Sequence, residues 1–230
     1  MMHLFRRKKN IAKLISVLLL VLLTAGIGVT GATISHRMKL TNQIRTPTVS
    51  TEIEEEFDPG TPVYANKTKI VKFRNTGTAD IFIRVAYAET WRYQESGESV
   101  LLPNHSEGRE ITDKAWTLSW QADWQDGGDG WFYYKKVLKP DQVTEAVLDH
   151  VNFGHVTELS DTRYRTAAYE LTFQTEAVQA SREIQTAKDA AEHVFGKTIT
   201  LWNGKHEISS DADWNSNKYT ALVNWGGDGI

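Results

Sequence analysis

The chain has 230 residues, 40% of them hydrophobic and 10% aromatic, which is enough for one substantial core. Its formal net charge is −3, yet residues 1–32 carry only basic side chains (Arg6, Arg7, Lys8, Lys9, Lys13), and without those five the value is −8; a remainder that acidic lacks the basic footprint of phosphate recognition and excludes nucleic acid as a partner. The absence of cysteine excludes disulfides, thiolate-bound zinc and thiol catalysis.

In chain order, the first element is a basic stretch followed by an uncharged run from Leu14 to Ser35, rich in Leu, Val and Ile in its first half. This is the pattern of an export signal. Thr30, Gly31 and Ala32 place small residues before Thr33, so cleavage is expected between Ala32 and Thr33. The run is also about long enough to cross a bilayer of roughly 30 Å as a helix, so an uncleaved membrane anchor is the alternative. Residues 33–48 are polar and aperiodic and read as a flexible lead.

A β-rich body is expected over 49–195. VSTEIEEEF alternates Val49, Thr51 and Ile53 against Ser50, Glu52 and Glu54, the period of a half-buried strand, and its acidic run reads as a solvated sheet edge. KTKIVKFRNTGTADIFIRVAYAETW reads as a hairpin, with arms Lys69–Arg74 and Ile81–Ala88 around a turn in which Gly77 supplies a positive φ. Val71 and Phe73 share one face of the first arm. Residues 94–112 read as a long loop, and Trp116, Leu118 and Trp120 have strand spacing.

The stretch DGGDGWFYYKKVLKP reads as a glycine turn feeding a strand, with Phe132 and Tyr134, or Trp131 and Tyr133, directed inward. Asp123, Asp126 and Asp129 are spaced by three, which misses the alternate-position ligands of an EF-hand; an irregular Ca²⁺ site on these three is the alternative to a wet polar turn. TEAVLDHVNF and YRTAAYELTFQTEAVQA read as two further strands, the second with Tyr169, Leu171 and Phe173 on one face. Ile184, Ala187, Ala191 and Val194 or Phe195 recur at helical spacing, closed by Gly196. In the extension 196–230, Asn203-Gly204 signals a last hairpin, and the segment from Asp211 onward has no assignment. The fold class these elements predict is mainly β: an antiparallel β-sandwich of jelly-roll or Greek-key type, with one short helix over 184–195 and an N-terminal signal helix.

The order of segments, a basic signal, an EIEE strand, KIVKFRNTGTADIFIRVAYAETW, GWFYYKKVLKP, YELTFQTEAVQAS and an alanine-rich helix, resembles the SipW-dependent exported biofilm matrix proteins of Gram-positive bacteria, the TasA-like, BsaA-like and camelysin-like group. The resemblance spans about residues 10–195. It departs from the family pattern at ISHRM, where aromatic and acidic residues usually follow the signal, and the extension from 196 lies outside it. It implies a secreted or surface-associated subunit of extracellular matrix or fibres, processed by a dedicated signal peptidase and associating with itself; from the residues, neither a cofactor nor a catalytic residue is expected.

Two other function classes stand beside this one. Camelysin-like relatives carry a peptidase label, but a zincin needs His-Glu-x-x-His, and His105, His150, His155, His193 and His206 show no such spacing. An uncleaved signal would instead make the chain a membrane-tethered surface binding module.

Overall fold

The structure, a computed structural model, describes residues 47–57 and 66–226. The signal run, the Ala32–Thr33 junction and the lead up to Thr46 lie outside the described residues. From Pro47 onward the chain forms a single unit. Its strands are β1 (Thr51–Phe57), β2 (Asn66–Asn75), β3 (Ile81–Glu95), β4 (Glu98–Leu102), β5 (His105–Ser106), β6 (Arg109–Glu110) and β7 (Asp113–Trp116). Helix α1 (Leu118–Asp123) precedes β8 (Trp124–Asp126), β9 (Phe132–Tyr134), β10 (Leu148–Asn152) and β11 (Ala168–Gln179). The chain continues through α2 (Ile184–Phe195), β12 (Ile199–Trp202), α3 (Asp211–Asn217) and β13 (Leu222–Trp225).

The molecule is mainly β, as the strand periodicities predict. One antiparallel sheet has the order β1-β2-β10-β7 and the other the order β11-β3-β9-β8, with β4 paired to the far end of β3. The sheets face each other across a core to which the first contributes Val71, Phe73, Leu148 and Val151 and the second Ile83, Val85, Trp91, Tyr134 and Leu171. A polar tie also crosses between them. Glu89 of β3 accepts hydrogen bonds at one oxygen from Lys114 of β7 (2.7 Å), Thr112 (3.0 Å) and Tyr169 of β11 (2.8 Å). Burial works against the charge on Lys114, but Glu89 and Glu110 raise its pKa above the usual lysine value.

Four local expectations are corrected. β2 and β3 do not form a hairpin: they belong to opposite sheets, and residues 76–80 arch between them. The cause is Asn75, fully buried, whose side-chain amide donates to the carbonyls of Ala79 (2.8 Å) and Leu138 (3.0 Å) and accepts from Gly77 N–H (2.9 Å). The arch therefore folds round this residue, leaving β2 to β1 and β10 and leaving β3 to β11. Residues 94–112 are not one loop, because β3 runs on to Glu95 and returns as β4 through Ser96-Gly97, both at positive φ (54° and 87°), the backbone of a two-residue hairpin turn.

Trp116, Leu118 and Trp120 do not share a strand. Thr117 caps α1 by accepting from Trp120 N–H, so the chain turns helical there, Trp120 stacks on Trp116 at 4.9 Å, and Leu118 is left 83% exposed. Finally, the Asn203-Gly204 turn forms, but it leads to a single bridge between Trp202 and Glu207, and the ladder partner of β12 is β13.

The helix over 184–195 forms as its spacing predicts, with Gly196 in the left-handed conformation and Phe195, not Val194, buried. Together with β12, α3 and β13 it builds a second core on the outer face of β3 and β9, around Phe82, Tyr133 and Val137. Asp211 accepts from the Ile184 N–H at 2.8 Å, and Trp214 donates to the Ser181 carbonyl at 2.7 Å, so the last segment both caps the start of α2 and anchors it. The aromatic stretch 131–134 sits between the cores, with Phe132 and Tyr134 on the sandwich side and Trp131 and Tyr133 on the other.

Candidate functional site

One flank of the sandwich carries an open edge of each sheet. Among the described residues β1 pairs only with β2 and β11 only with β3, and the two edges meet where the hydroxyls of Thr51 and Thr175 lie 2.8 Å apart. Below that point a groove of about 320 Å³ opens between them, with an apolar floor of Val151, Phe153 and Leu171 and a charged rim that includes Glu55, Lys69 and Glu170. An open strand edge presents unpaired N–H and C=O groups, and an apolar groove beside it accepts the side chains of an added strand.

β1 is seated in its own chain by seven registered pairs, from Thr51 opposite Asn75 to Phe57 opposite Lys69. Two of its carboxylates are engaged: Glu54 accepts from Arg74, and Glu55 from Lys69 at 2.8 Å. Glu52 and Glu56 are exposed, in keeping with a charged edge that discourages indiscriminate pairing. Of the β1 side chains described, only Ile53 packs against the sandwich core.

Immediately before β1, residues 48–50 strap across the arch. Ser50 O accepts from Thr76 N–H (3.0 Å) and Gly77 N–H (3.2 Å), and Thr48 O accepts from Thr78 N–H (2.9 Å) and Ala79 N–H (3.1 Å). Thr48 N–H donates to the Thr78 hydroxyl (2.8 Å), and the Thr76 hydroxyl donates to Ser50 Oγ (2.9 Å). Gly77 is not at positive φ, which corrects the expectation from sequence; a Cβ there would stand 2.3 Å from Thr48 O and 2.8 Å from Ser50 N. Its missing side chain makes room for the strap. The sequence signal for this is NTGTAD itself, whose small residues suit a close backbone approach as well as a turn.

The three aspartates proposed for Ca²⁺ are separately engaged. Asp123 pairs with Lys136 (2.6 Å) and accepts from Ser119. Asp126 accepts from Gly128 N–H (2.8 Å). Asp129 accepts from Trp131 N–H (3.1 Å) and the Tyr133 hydroxyl (2.7 Å) and lies 3.4 Å from Lys197. Burial opposes ionisation of Asp129, but Tyr133, Trp131 and Lys197 together hold its carboxyl below the usual range. Gly127 is needed because a Cβ there would meet the Tyr133 ring at 2.3 Å.

The histidines are dispersed. His150 contacts Asp149, His155 contacts Asp113 and Glu158, His206 contacts Asp213, and His105 and His193 are exposed. Among the described residues no three His, Asp or Glu side chains come together as a metal site. No helix among them is long and apolar enough to cross a membrane. Compared with family models, curated proteins and solved structures, the chain matches none.

Proposed function

We propose that the chain is a secreted or surface-associated structural subunit of an extracellular matrix, which assembles when β1 of one copy leaves its own β2 and takes the same place on β2 of the next. Export through the basic, leucine-rich N-terminal segment, with removal near Ala32–Thr33 by a dedicated signal peptidase, delivers the subunit to the cell exterior. The observation that carries this reading is the position of β1. It is an edge strand at the entry of the body; among the described residues it is held by a single ladder, by Ile53 against the core and by the Thr51–Thr175 hydroxyl bond. Exchange of an identical element costs little at equilibrium because every interaction broken in one chain is remade in another. Main-chain bonds then supply affinity, while Ile53, Glu54 and Glu55 set the register against Phe73, Lys72 and Val71. The resemblance to exported biofilm matrix proteins supports the same class of function.

The chain has no cysteine, so an engineered pair gives a clean test. Glu54 and Lys72 are directly opposite in the β1–β2 register, a spacing compatible with a disulfide. Glu54→Cys and Lys72→Cys are made in separate chains, mixed, allowed to assemble and oxidised. The expected product is a mixed disulfide linking the two variants within polymers, whereas a chain bearing both cysteines, oxidised beforehand, stays monomeric. Polymers without the mixed disulfide would rule out exchange of β1, and a protein that forms no polymer under any condition would rule out the matrix-subunit reading.

A further inference from the structure

We propose that the strap of residues 48–50 is a latch that keeps β1 in its own chain, and that its release must precede the opening of the β1–β2 ladder and so gates the rate at which the subunit assembles. The inference rests on the reading of β1 as an exchanged strand. Unzipping β1 from its N-terminal end starts at Thr51, and the residues immediately before it are clamped to the arch by their backbone groups. Ser50 O and Thr48 O each accept two N–H donors, from Thr76 and Gly77 and from Thr78 and Ala79. The strap itself is polar and exposed, with residues 47–50 all solvent-accessible and Val49 40% exposed, while Gly77 and Ala79 of the arch are buried. Segments held by exposed hydrogen bonds without apolar burial belong to the low-stability end of a protein and open without global unfolding. The anchor on the other side is rigid, because the arch is pinned from inside by the buried Asn75 amide. A weak strap on a firm anchor has two states, closed and released.

Gly77 makes this testable by one methyl group. Its φ lies outside the left-handed region and does not itself oppose alanine; the three atoms nearest the new Cβ are Thr48 O, Ser50 N and Thr48 C, all in the strap. Gly77→Ala therefore evicts the strap and leaves the arch. Thr78→Val is the milder companion, removing the hydroxyl that Thr48 N–H and Thr48 Oγ1 contact while keeping the shape of the side chain.

Amide hydrogen exchange of β1 and the lag before polymerisation are measured on the full mature chain. In Gly77→Ala, exchange over Glu52–Glu56 is expected to rise about tenfold or more, the effect of losing roughly two or more of the strap's hydrogen bonds, with β3 and β11 unchanged and the lag shortened by a similar factor. Unchanged β1 exchange overturns the latch. Faster β1 exchange with an unchanged lag overturns its control of assembly. Faster β1 exchange in a protein that never polymerises, wild type included, refutes the assembly reading and leaves the strap as a clamp on β1 alone. Should Gly77→Ala lose protection across the whole body, Thr78→Val decides by the same criteria.

Discussion

Tyr133 and Tyr134 are adjacent in sequence and buried on opposite faces of one strand, and each hydroxyl is pushed up to about 12. For Tyr133 burial leads and the bond to the Asp129 carboxylate adds to it; for Tyr134 burial leads, with Asp123 and Glu145 adding repulsion. Unfolded tyrosine titrates near 10. A folded pKa above the unfolded one means that the native state holds its proton more tightly, so the stabilisation is complete below about pH 10 and is lost as pH rises from 10 through 12. The urea midpoint is therefore expected to be level from pH 8 to 10 and to fall steeply above it. Tyr133→Phe should cost about 1–3 kcal/mol at neutral pH, through loss of the bond its hydroxyl donates to Asp129 and the one it accepts from Arg84, and should flatten the alkaline limb. An alkaline fall identical in the two proteins would locate the sensitivity elsewhere.

At the scale of elements, the segment after Gly196 is part of the structure that holds the sandwich together. β13 reaches β9 through Val223 N–H to Lys135 O (2.9 Å) and through the Trp225 indole to Tyr134 O (3.0 Å), and Gln125 of β8 bonds both the N–H and the C=O of Trp225. These bonds satisfy carbonyls left over where β9 ends, and the apolar faces of Phe82 and Tyr133 are covered at the same time. Trp214 is fully buried at the centre of this layer. Trp214→Ala is expected to cost about 3–5 kcal/mol and, because both cores share β3 and β9, to lower one common transition. Far-UV circular dichroism and tryptophan fluorescence should follow the same curve; two separated transitions would show that the layers fold independently.

For the whole molecule, exchange of β1 makes a heterologous interface, with a donor surface on one copy and an acceptor surface on the next, and such interfaces propagate as open chains unless the rotation closes a ring. A chain lacking residues 47–57 retains the acceptor β2 and has no donor. Mixed in small amounts with the intact protein, it is expected to cap one end of each polymer and to shorten the lengths seen by electron microscopy in proportion to its mole fraction. Unchanged lengths, with the truncated chain folded by circular dichroism, would contradict assembly through β1. The charged edge suits this selectivity, because a strand as acidic as Glu52–Glu56 repels a second copy of itself and accepts basic side chains of β2, Arg74 at Glu54 and Lys69 at Glu55.

Periodicity alone determined several strands of this protein and their buried faces: Val71 and Phe73, Leu171, and the helix closed by Gly196 follow from spacing, because alternation and the 3.6-residue period are local properties of the chain. The partners of those strands were decided only in three dimensions. NTGTAD carries the residues of a hairpin turn, yet the buried Asn75 amide binds carbonyls at Ala79 and Leu138, the latter 63 positions away, and sends β2 and β3 to opposite sheets. Likewise, Asn203-Gly204 marked a turn correctly, but β12 found a better ladder in β13 than in the residues just after the turn. The strap is the extreme case. Val49 and Ser50 continue the alternation of β1 in sequence, and Gly77 announces only that some backbone comes close; that these residues strap the arch is settled by long-range hydrogen bonds that no local pattern encodes.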